Sequence, residues 1–404
     1  MKQIISIFVA LFAVLFLVPS SLARADEKKY TCIEDISEKE IKDAAEIFSK
    51  NFYSDANLEA KEIIPIYDTD CALIGFSVSY FKDDVPFGYV NFDFSNESYI
   101  SDFSIQEGSI GIYDNLVDEA KQKKQIERVE KKLYKGTSLD YSICFFEKNK
   151  KYFFSYSDGI LSSKKYKEKR EQINEKYNKD GNRSVYSDAL ALLNNNGFIS
   201  GSTILDGPNY TTKKSNTLSA LSQDFIEFLT GRYACAVVAL TEIAGQEGIL
   251  INVHSNLNDK IEDTFDDLWT RTSTTVSGTT LSGNPLGSTV NANVKTGMYN
   301  YCLARGKTNT VATEQSNPAY IFYKSAMDNN LSATFEFNFL KYDASNNIVT
   351  EGHTVNVLGY CLAQYSGTVS YYLIVADGWA TSLRYINLYS TDFTSTYGIT
   401  FNIS

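Results

Sequence analysis

Gly231-Arg-Tyr-Ala-Cys-Ala-Val-Val-Ala-Leu-Thr-Glu-Ile243 is the stretch on which the rest of the chain is organised. A polar approach containing glycine runs into an uninterrupted apolar segment, and Cys235 stands at the junction. Read as a helix, the segment puts Cys235 in its first turn. There the backbone N–H groups lack intrahelical partners, and the positive end of the helix dipole favours a thiolate. A thiolate nucleophile needs a base, and the chain has only two histidines, His254 and His353. His254 sits in Ile-Asn-Val-His-Ser-Asn-Leu-Asn, a loop-like context that reads as structural or exposed. His353 follows Gly352 and opens the alternating run His-Thr-Val-Asn-Val-Leu-Gly-Tyr, so it is the better-placed base. The next apolar run, Tyr371-Tyr-Leu-Ile-Val-Ala-Asp-Gly-Trp379, puts Asp377 at the end of a strand. Cys, His and Asp then stand in the order of nucleophile, base and orienter.

Outward from Cys235, the C-terminal part reads as helices followed by strands. Helical stretches are expected at Ser222–Leu229, Cys235–Ala244, Asp259–Leu268 and Ser288–Ala304, the last stopped by Gly306. Counting from Cys235's own, Asn317-Pro318 opens a fourth helix, with proline at its first helical position. Strands follow at Ala333–Leu340, Thr354–Leu362, Val369–Val375 and Ser382–Tyr389. That order is α+β, with a helical half and an antiparallel sheet half facing each other across a cleft. Cys235 comes from the first half, His353 and Asp377 from the second, and a peptide would lie between them.

Upstream, Gly197–Asn216 is rich in Gly, Ser, Thr and Asn and reads as a linker. It divides the chain into an N-terminal region, 26–205, a connection, 206–216, and a C-terminal domain, 217–404. The N-terminal region is a mixed α/β, strand-rich unit. Ser37-Glu-Lys-Glu40 is a capping box before a helix bearing Ile41, Ala44, Ala45 and Phe48. Alternating strands follow through Phe76–Tyr80, Tyr89–Phe94 and Tyr99–Ile105. A Lys- and Glu-rich helix is expected from Asn115 to Leu133, a hairpin from Tyr141 to Phe154, and charged or amphipathic helices at Ser162–Glu175 and Ser187–Leu193.

Composition bounds the function. At 404 residues, with 43% hydrophobic and 22% charged residues, the chain is ordinary globular material long enough for two domains. A net charge of −11 excludes a nucleic-acid surface. Two separated histidines, with neither His-Glu-x-x-His nor Cys-x-x-Cys, leave no usual zinc site, and no cofactor is implied. Residues 1–25 read as an export signal: Lys2, the apolar core Ile4–Val18, then a small-residue cleavage pattern at Ala23-x-Ala25. No later apolar run is long enough to cross a bilayer, so the mature protein is expected outside the cytoplasm, secreted or at the cell surface. Of the six cysteines, Cys302 and Cys361 lie in apolar contexts and read as buried small hydrophobes.

These residues together resemble papain-like cysteine peptidases, and within them the secreted streptopain-like and the bacteriocin-processing peptidases. Cys-Ala-Val-Val-Ala-Leu-Thr-Glu-Ile is similar to the helix that carries the nucleophile in that family, and Gly-His-Thr-Val-Asn-Val-Leu-Gly-Tyr to the strand that carries the base. Asp377-Gly-Trp379 resembles the turn that keeps an Asn or Asp beside a tryptophan. Phe87-Gly-Tyr-Val-Asn-Phe resembles part of a streptopain-type prodomain. The resemblance implies a zymogen that hydrolyses peptide bonds, with residues 26 to about 205 as an intramolecular prodomain, and Trp379 as a shield for the His–Asp pair. The family's glutamine, about six residues before the cysteine, is replaced here by Leu229. Gln223 is the nearest upstream glutamine and the candidate oxyanion donor. The Gly-Pro common after the cysteine is Ala236-Val237. Two other readings stay open: an amidase or transglutaminase-like enzyme acting on cell-wall peptide, and a catalytically inactive binding protein on the same fold.

Overall fold

The structure is a computed structural model. It describes residues 30–404 except 54–56, 69–70, 96–98, 138, 170, 172–192, 194–201, 214–219, 281, 343–347, 366–367, 391–392 and 394. The export signal read at 1–25, the helix read at 187–193 apart from Leu193, and residues 170 and 172–175 of that read at 162–175 lie outside the described residues; 163–169 are helical as expected.

The N-terminal region starts with α1 (Glu38–Lys50), closed at its start by the expected capping box: the Ser37 side chain accepts from the Glu40 backbone, and Glu40 reaches back to Ser37. Its buried face, Ile41, Ala44, Ala45 and Phe48, lies over the meander β1 (Glu59–Tyr67), β2 (Leu73–Lys82), β3 (Val85–Asp93) and β4 (Ile100–Ile105). Then come α2 (Ile112–Lys123), β5 (Arg128–Val129), β6 (Leu133–Thr137), β7 (Asp140–Glu147), β8 (Lys150–Ser155) and β9 (Gly159–Ser162). The helix expected from Asn115 to Leu133 begins at Ile112 and stops at Lys123, ten residues before Leu133. Lys124 is already extended, and the apolar residues beyond it pack in strands paired with β7 and β1. Tertiary pairing overrides the helical propensity of the Lys- and Glu-rich composition.

The stretch read as a linker is largely structured. Ser202–Tyr210 is strand β10 (Ser202–Tyr210), antiparallel to the strand that carries His353, with register breaks at Ile204/Asp206 and Asp206/Asn209. Its polar, Gly- and Pro-containing composition suits an irregular edge strand as well as a linker. Tyr210 is anchored by its hydroxyl, 2.5 Å from that of Tyr385.

The C-terminal part runs α3 (Gln223–Thr230), α4 (Cys235–Gln246), α5 (Leu257–Arg271), the hairpin β11 (Thr275–Thr279) and β12 (Pro285–Ser288), then α6 (Asn291–Ala304) and β13 (Val311–Ser316). After it come α7 (Tyr320–Asp328), β14 (Ser332–Tyr342), β15 (Ile348–Tyr365), β16 (Thr368–Ala376), β17 (Arg384–Asn387) and β18 (Ser395–Asn402). Pro318 falls two residues ahead of α7, whose N-cap is Ala319. α4 is the central helix, buried on nearly every side from Ala236 to Gln246. The expected α+β order holds, with helices first and a mostly antiparallel sheet after.

That sheet does not stop at the domain boundary. Among the described residues one 16-stranded sheet runs β13-β18-β14-β15-β16-β17-β4-β3-β2-β1-β6-β7-β8-β9, with β10 on β15 and β5 on β7 off that path. The two parts join where β17 pairs β4, Tyr385 opposite Phe103 and Ile386 opposite Asp102. One hydrophobic core spans the joint, combining Phe48, Val90 and Phe103 with Cys361, Tyr365, Tyr372 and Tyr385. Among the described residues no helix is long and apolar enough to cross a membrane.

Candidate active site

α4 begins at Cys235, as the sequence implies, after Ala234, an N-cap with no side-chain cap. No N-cap side chain therefore covers the first turn of the helix. Cys235 is partly exposed, and its Sγ lies 4.0 Å from the carbonyl oxygen of Gly352, the residue before His353. Cys235, Gly352, His353, Trp379 and Gln223 all line one cavity of about 700 Å³. Its wall also includes the hairpin β11–β12 and, from the N-terminal region, Glu119, Lys123 and the segment Tyr156–Ile160.

His353 is buried and tightly held. Its Nε2 is 2.7 Å from the backbone carbonyl oxygen of Asp377. A carbonyl only accepts, so Nε2 carries the proton and Nδ1 is left as the basic nitrogen. The Trp379 ring stacks on the imidazole at 4.2 Å and 8°, and Phe337 meets it edge-on at 5.5 Å. Burial pushes the imidazole down to about 4, against the opposing pull of Asp377. In this arrangement His353 is neutral near pH 7.

Asp377 orients His353, but not as the sequence suggests. Its carbonyl, not its carboxylate, accepts the hydrogen bond from the imidazole Nε2–H. The carboxylate is occupied elsewhere: Oδ2 accepts from Nη1 of Arg384 at 2.7 Å, and Oδ1 from the backbone N–H groups of Trp379 at 3.0 Å and Ala380 at 3.2 Å. It thereby shapes the turn whose carbonyl and indole hold the ring. Trp379 is buried over His353, the shielding position expected of it. Gln223 is the first residue of α3, and its backbone N–H donates to the Gly378 carbonyl at 2.8 Å, so the same turn ties it to the site. His254 lies before α5, half exposed and 3.4 Å from Asp263.

Sequence reasoning missed two groups of residues here. Glu336 on β14 is buried in the cavity wall beside Gly352, and burial pushes its carboxyl up to about 7, opposed by hydrogen bonds from Asn291 and Thr354. The signal was the acid in Phe335-Glu-Phe-Asn-Phe339, where alternation places it opposite the aromatic face. Arg384, with its partner Asp102 in the other part of the chain, left no such signal, because 282 residues separate the pair. Among the described residues no group of three His, Cys, Asp or Glu is placed to hold a metal ion, and no disulfide joins the cysteines. No family model matches the sequence, and no curated protein is significantly similar to it.

Proposed function

We propose that the protein is a secreted cysteine peptidase held in a restrained form by its own N-terminal region. The observation that carries this reading is the partly exposed Cys235 at the uncapped start of α4, 4.0 Å from the carbonyl before a histidine whose Nε2–H is already fixed by Asp377. The Cys235 thiolate attacks the amide carbonyl carbon of a peptide. The oxyanion accepts from the Cys235 backbone N–H and the Gln223 side chain. His353, as imidazolium, gives its proton to the leaving amine, and the thioester remains on Sγ. His353 then takes a proton from water, whose oxygen attacks the thioester carbonyl, releasing the acid and restoring the thiol.

Restraint is supported by the covered imidazole and by the Tyr156–Ile160 segment in the cavity wall, where Tyr156 lies parallel to Trp379 at 6.0 Å. The shared sheet and core mean that processing opens this wall while the N-terminal sheet stays docked. Exposed polar connections are the favoured nicking sites, and the cut is expected between 197 and 220 but outside Ser202–Lys213. Lys213 is held by Glu247 at 2.5 Å, and the residues before it by β15.

The test is to incubate purified protein with a mixed peptide library, with and without a thiol-alkylating inhibitor, and to identify by mass spectrometry both peptide products and the alkylated residue. Alkylation at Cys235 that abolishes peptide cleavage is the expected result. Cleavage that survives complete Cys235 alkylation sinks the reading. Processed protein is expected to retain the N-terminal fragment on gel filtration.

A further inference from the structure

His353 is held by a turn, and the turn is held from the far part of the chain. Asp102, on β4 of the N-terminal region, has no exposed side-chain surface. Its carboxylate accepts from Nε of Arg384 at 2.9 Å, from Tyr89 Oη at 2.9 Å, Asn91 Nδ2 at 3.1 Å, Ser101 Oγ at 3.0 Å and Tyr141 Oη at 3.3 Å. Arg384 continues the line. Its Nη1 donates to Asp377 Oδ2 at 2.7 Å and its Nη2 to the Leu139 carbonyl of the N-terminal region at 3.4 Å. The side chains of Arg384 and Asp377 are each 4% exposed. Asp377 closes the line on the Trp379 and Ala380 amides and, through its own carbonyl, on His353.

We propose that Asp102 and Arg384 are positioning residues for His353, so that the N-terminal region supplies a working part of the site as well as its cover. A buried ion pair is a poor source of stability, since desolvating both charges offsets most of their attraction. A planar guanidinium joining two carboxylates from different parts of the chain is instead a device of orientation: its fork fixes both partners in direction as well as distance. The thing oriented is the Asp377–Ala380 turn. That turn decides which imidazole nitrogen keeps the proton and whether the indole covers the ring. The proposal rests on the reading of His353 as the base, and it makes one demand on that reading: a processed, active enzyme keeps β4.

Because the chain has two histidines, the test is direct. In full-length protein carrying His254→Gln, His353 is the single imidazole, and its Cε1 proton is followed by NMR against pH. Asp377 and Arg384 are the charged groups acting on the ring, with Cys235 of α4, Glu336 of β14 and Tyr156 in the same cavity wall. Arg384→Lys cannot reach both carboxylates, so the turn loosens, the ring gains water, and its titration midpoint rises by about one pH unit or more. Asp102→Asn moves it in the same direction by less, and serves if Arg384→Lys does not fold. Peptide turnover falls on the order of a hundredfold in kcat with little change in KM, as for a misoriented base.

Lys135→Met is the control. It breaks another buried ion pair of the N-terminal region, Lys135–Asp93 at 2.7 Å, and is expected to lower stability while leaving the His353 midpoint in place. An unchanged midpoint in Arg384→Lys and Asp102→Asn, or an equal rise in Lys135→Met, overturns the proposal. A parent protein that cleaves no peptide overturns the peptidase reading instead, and the titration still decides the positioning.

Discussion

The N-terminal region meets the C-terminal part along two seams of opposite character. The first is the β4–β17 pairing. It is closed: on one face Phe103 stacks on Tyr385 at 4.3 Å and meets Phe48 at 4.8 Å and Tyr372 at 5.2 Å, and the neighbouring residues of the same strands form the buried Asp102–Arg384 pair. The second is the cavity wall. There Lys123 of α2 joins Glu119 of its own helix and reaches Asp224 of α3 at 3.3 Å, with Asp224 39% exposed, while Tyr156 lies over Trp379. Aromatic burial at the first seam is worth several kcal/mol per ring, whereas the half-wet ion pair at the second contributes little. The first seam is the firmer joint, and Cys235 lies at the second, which under the proposed function acts as a gate.

The largest effects fall on the pair that the gate covers. Cys235→Ala is expected to abolish amide cleavage while the protein folds normally, since little buried volume is lost. His353→Ala should be as damaging, because members of one catalytic unit fail together. His254→Ala should leave turnover nearly unchanged. Turnover surviving in Cys235→Ala, or equal damage from both histidine substitutions, would break the assignment before any question about seams arises.

Next come the seams themselves. Phe103→Ala empties the centre of the first and is expected to cost about 3–5 kcal/mol, with both parts losing structure together in one denaturation transition. Two separate transitions, with the C-terminal one unmoved, would show that the parts are independent after all. Tyr156→Ala removes a ring from the second seam. It is expected to leave the denaturation midpoint close to the parent's while speeding alkylation of Cys235 several-fold, about the change that 1 kcal/mol of lost cover produces. A destabilisation as large as that of Phe103→Ala would merge the two seams into one.

This contrast marks where the sequence stops being readable. Cys235 at a helix start, His353 on a strand and Asp377 at a strand end follow from local pattern, and each is where periodicity and turn chemistry put it. The capping box at Ser37 and the hairpin near Tyr141–Phe154 are equally local. What failed were readings that depend on distant partners. Ser202–Tyr210 has linker composition, yet β15 offers it an edge. The Asp377 carboxylate belongs to an arginine seven residues on, not to the histidine it was paired with by order along the chain. The two-domain division rests on a change of composition, which does not show Phe103 against Tyr385, because nothing local in either strand distinguishes an outer edge from a shared one.

The smallest expected effect is the one most specific to the gate. Burial pushes the Glu119 carboxyl up to about 7, partly offset by Lys123, while the same group titrates near 4.5 in the unfolded chain. Between those values the folded chain holds a proton that the unfolded chain has lost, so Glu119's contribution to stability falls as pH rises across that window and is level above it. Asp114, raised to about 6, and Glu336, raised to about 7, act in the same direction, and His353, held low, in the opposite one. A pH profile of the parent alone therefore mixes several groups. Glu119→Gln keeps the shape and neutrality of the protonated acid and leaves Lys123 its contact with Asp224. The difference in denaturation midpoint between Glu119→Gln and the parent should thus be near zero at pH 5 and a few degrees in the variant's favour at pH 8. Measured side by side by scanning calorimetry, a constant difference at both pH values would show that Glu119 does not titrate in this window. A difference that grows with pH, together with slower Cys235 alkylation in the variant than in the parent at pH 8, would make the second seam a gate that loosens as its carboxyl ionises. The first seam has no such lever, because its cation is an arginine, charged at every working pH.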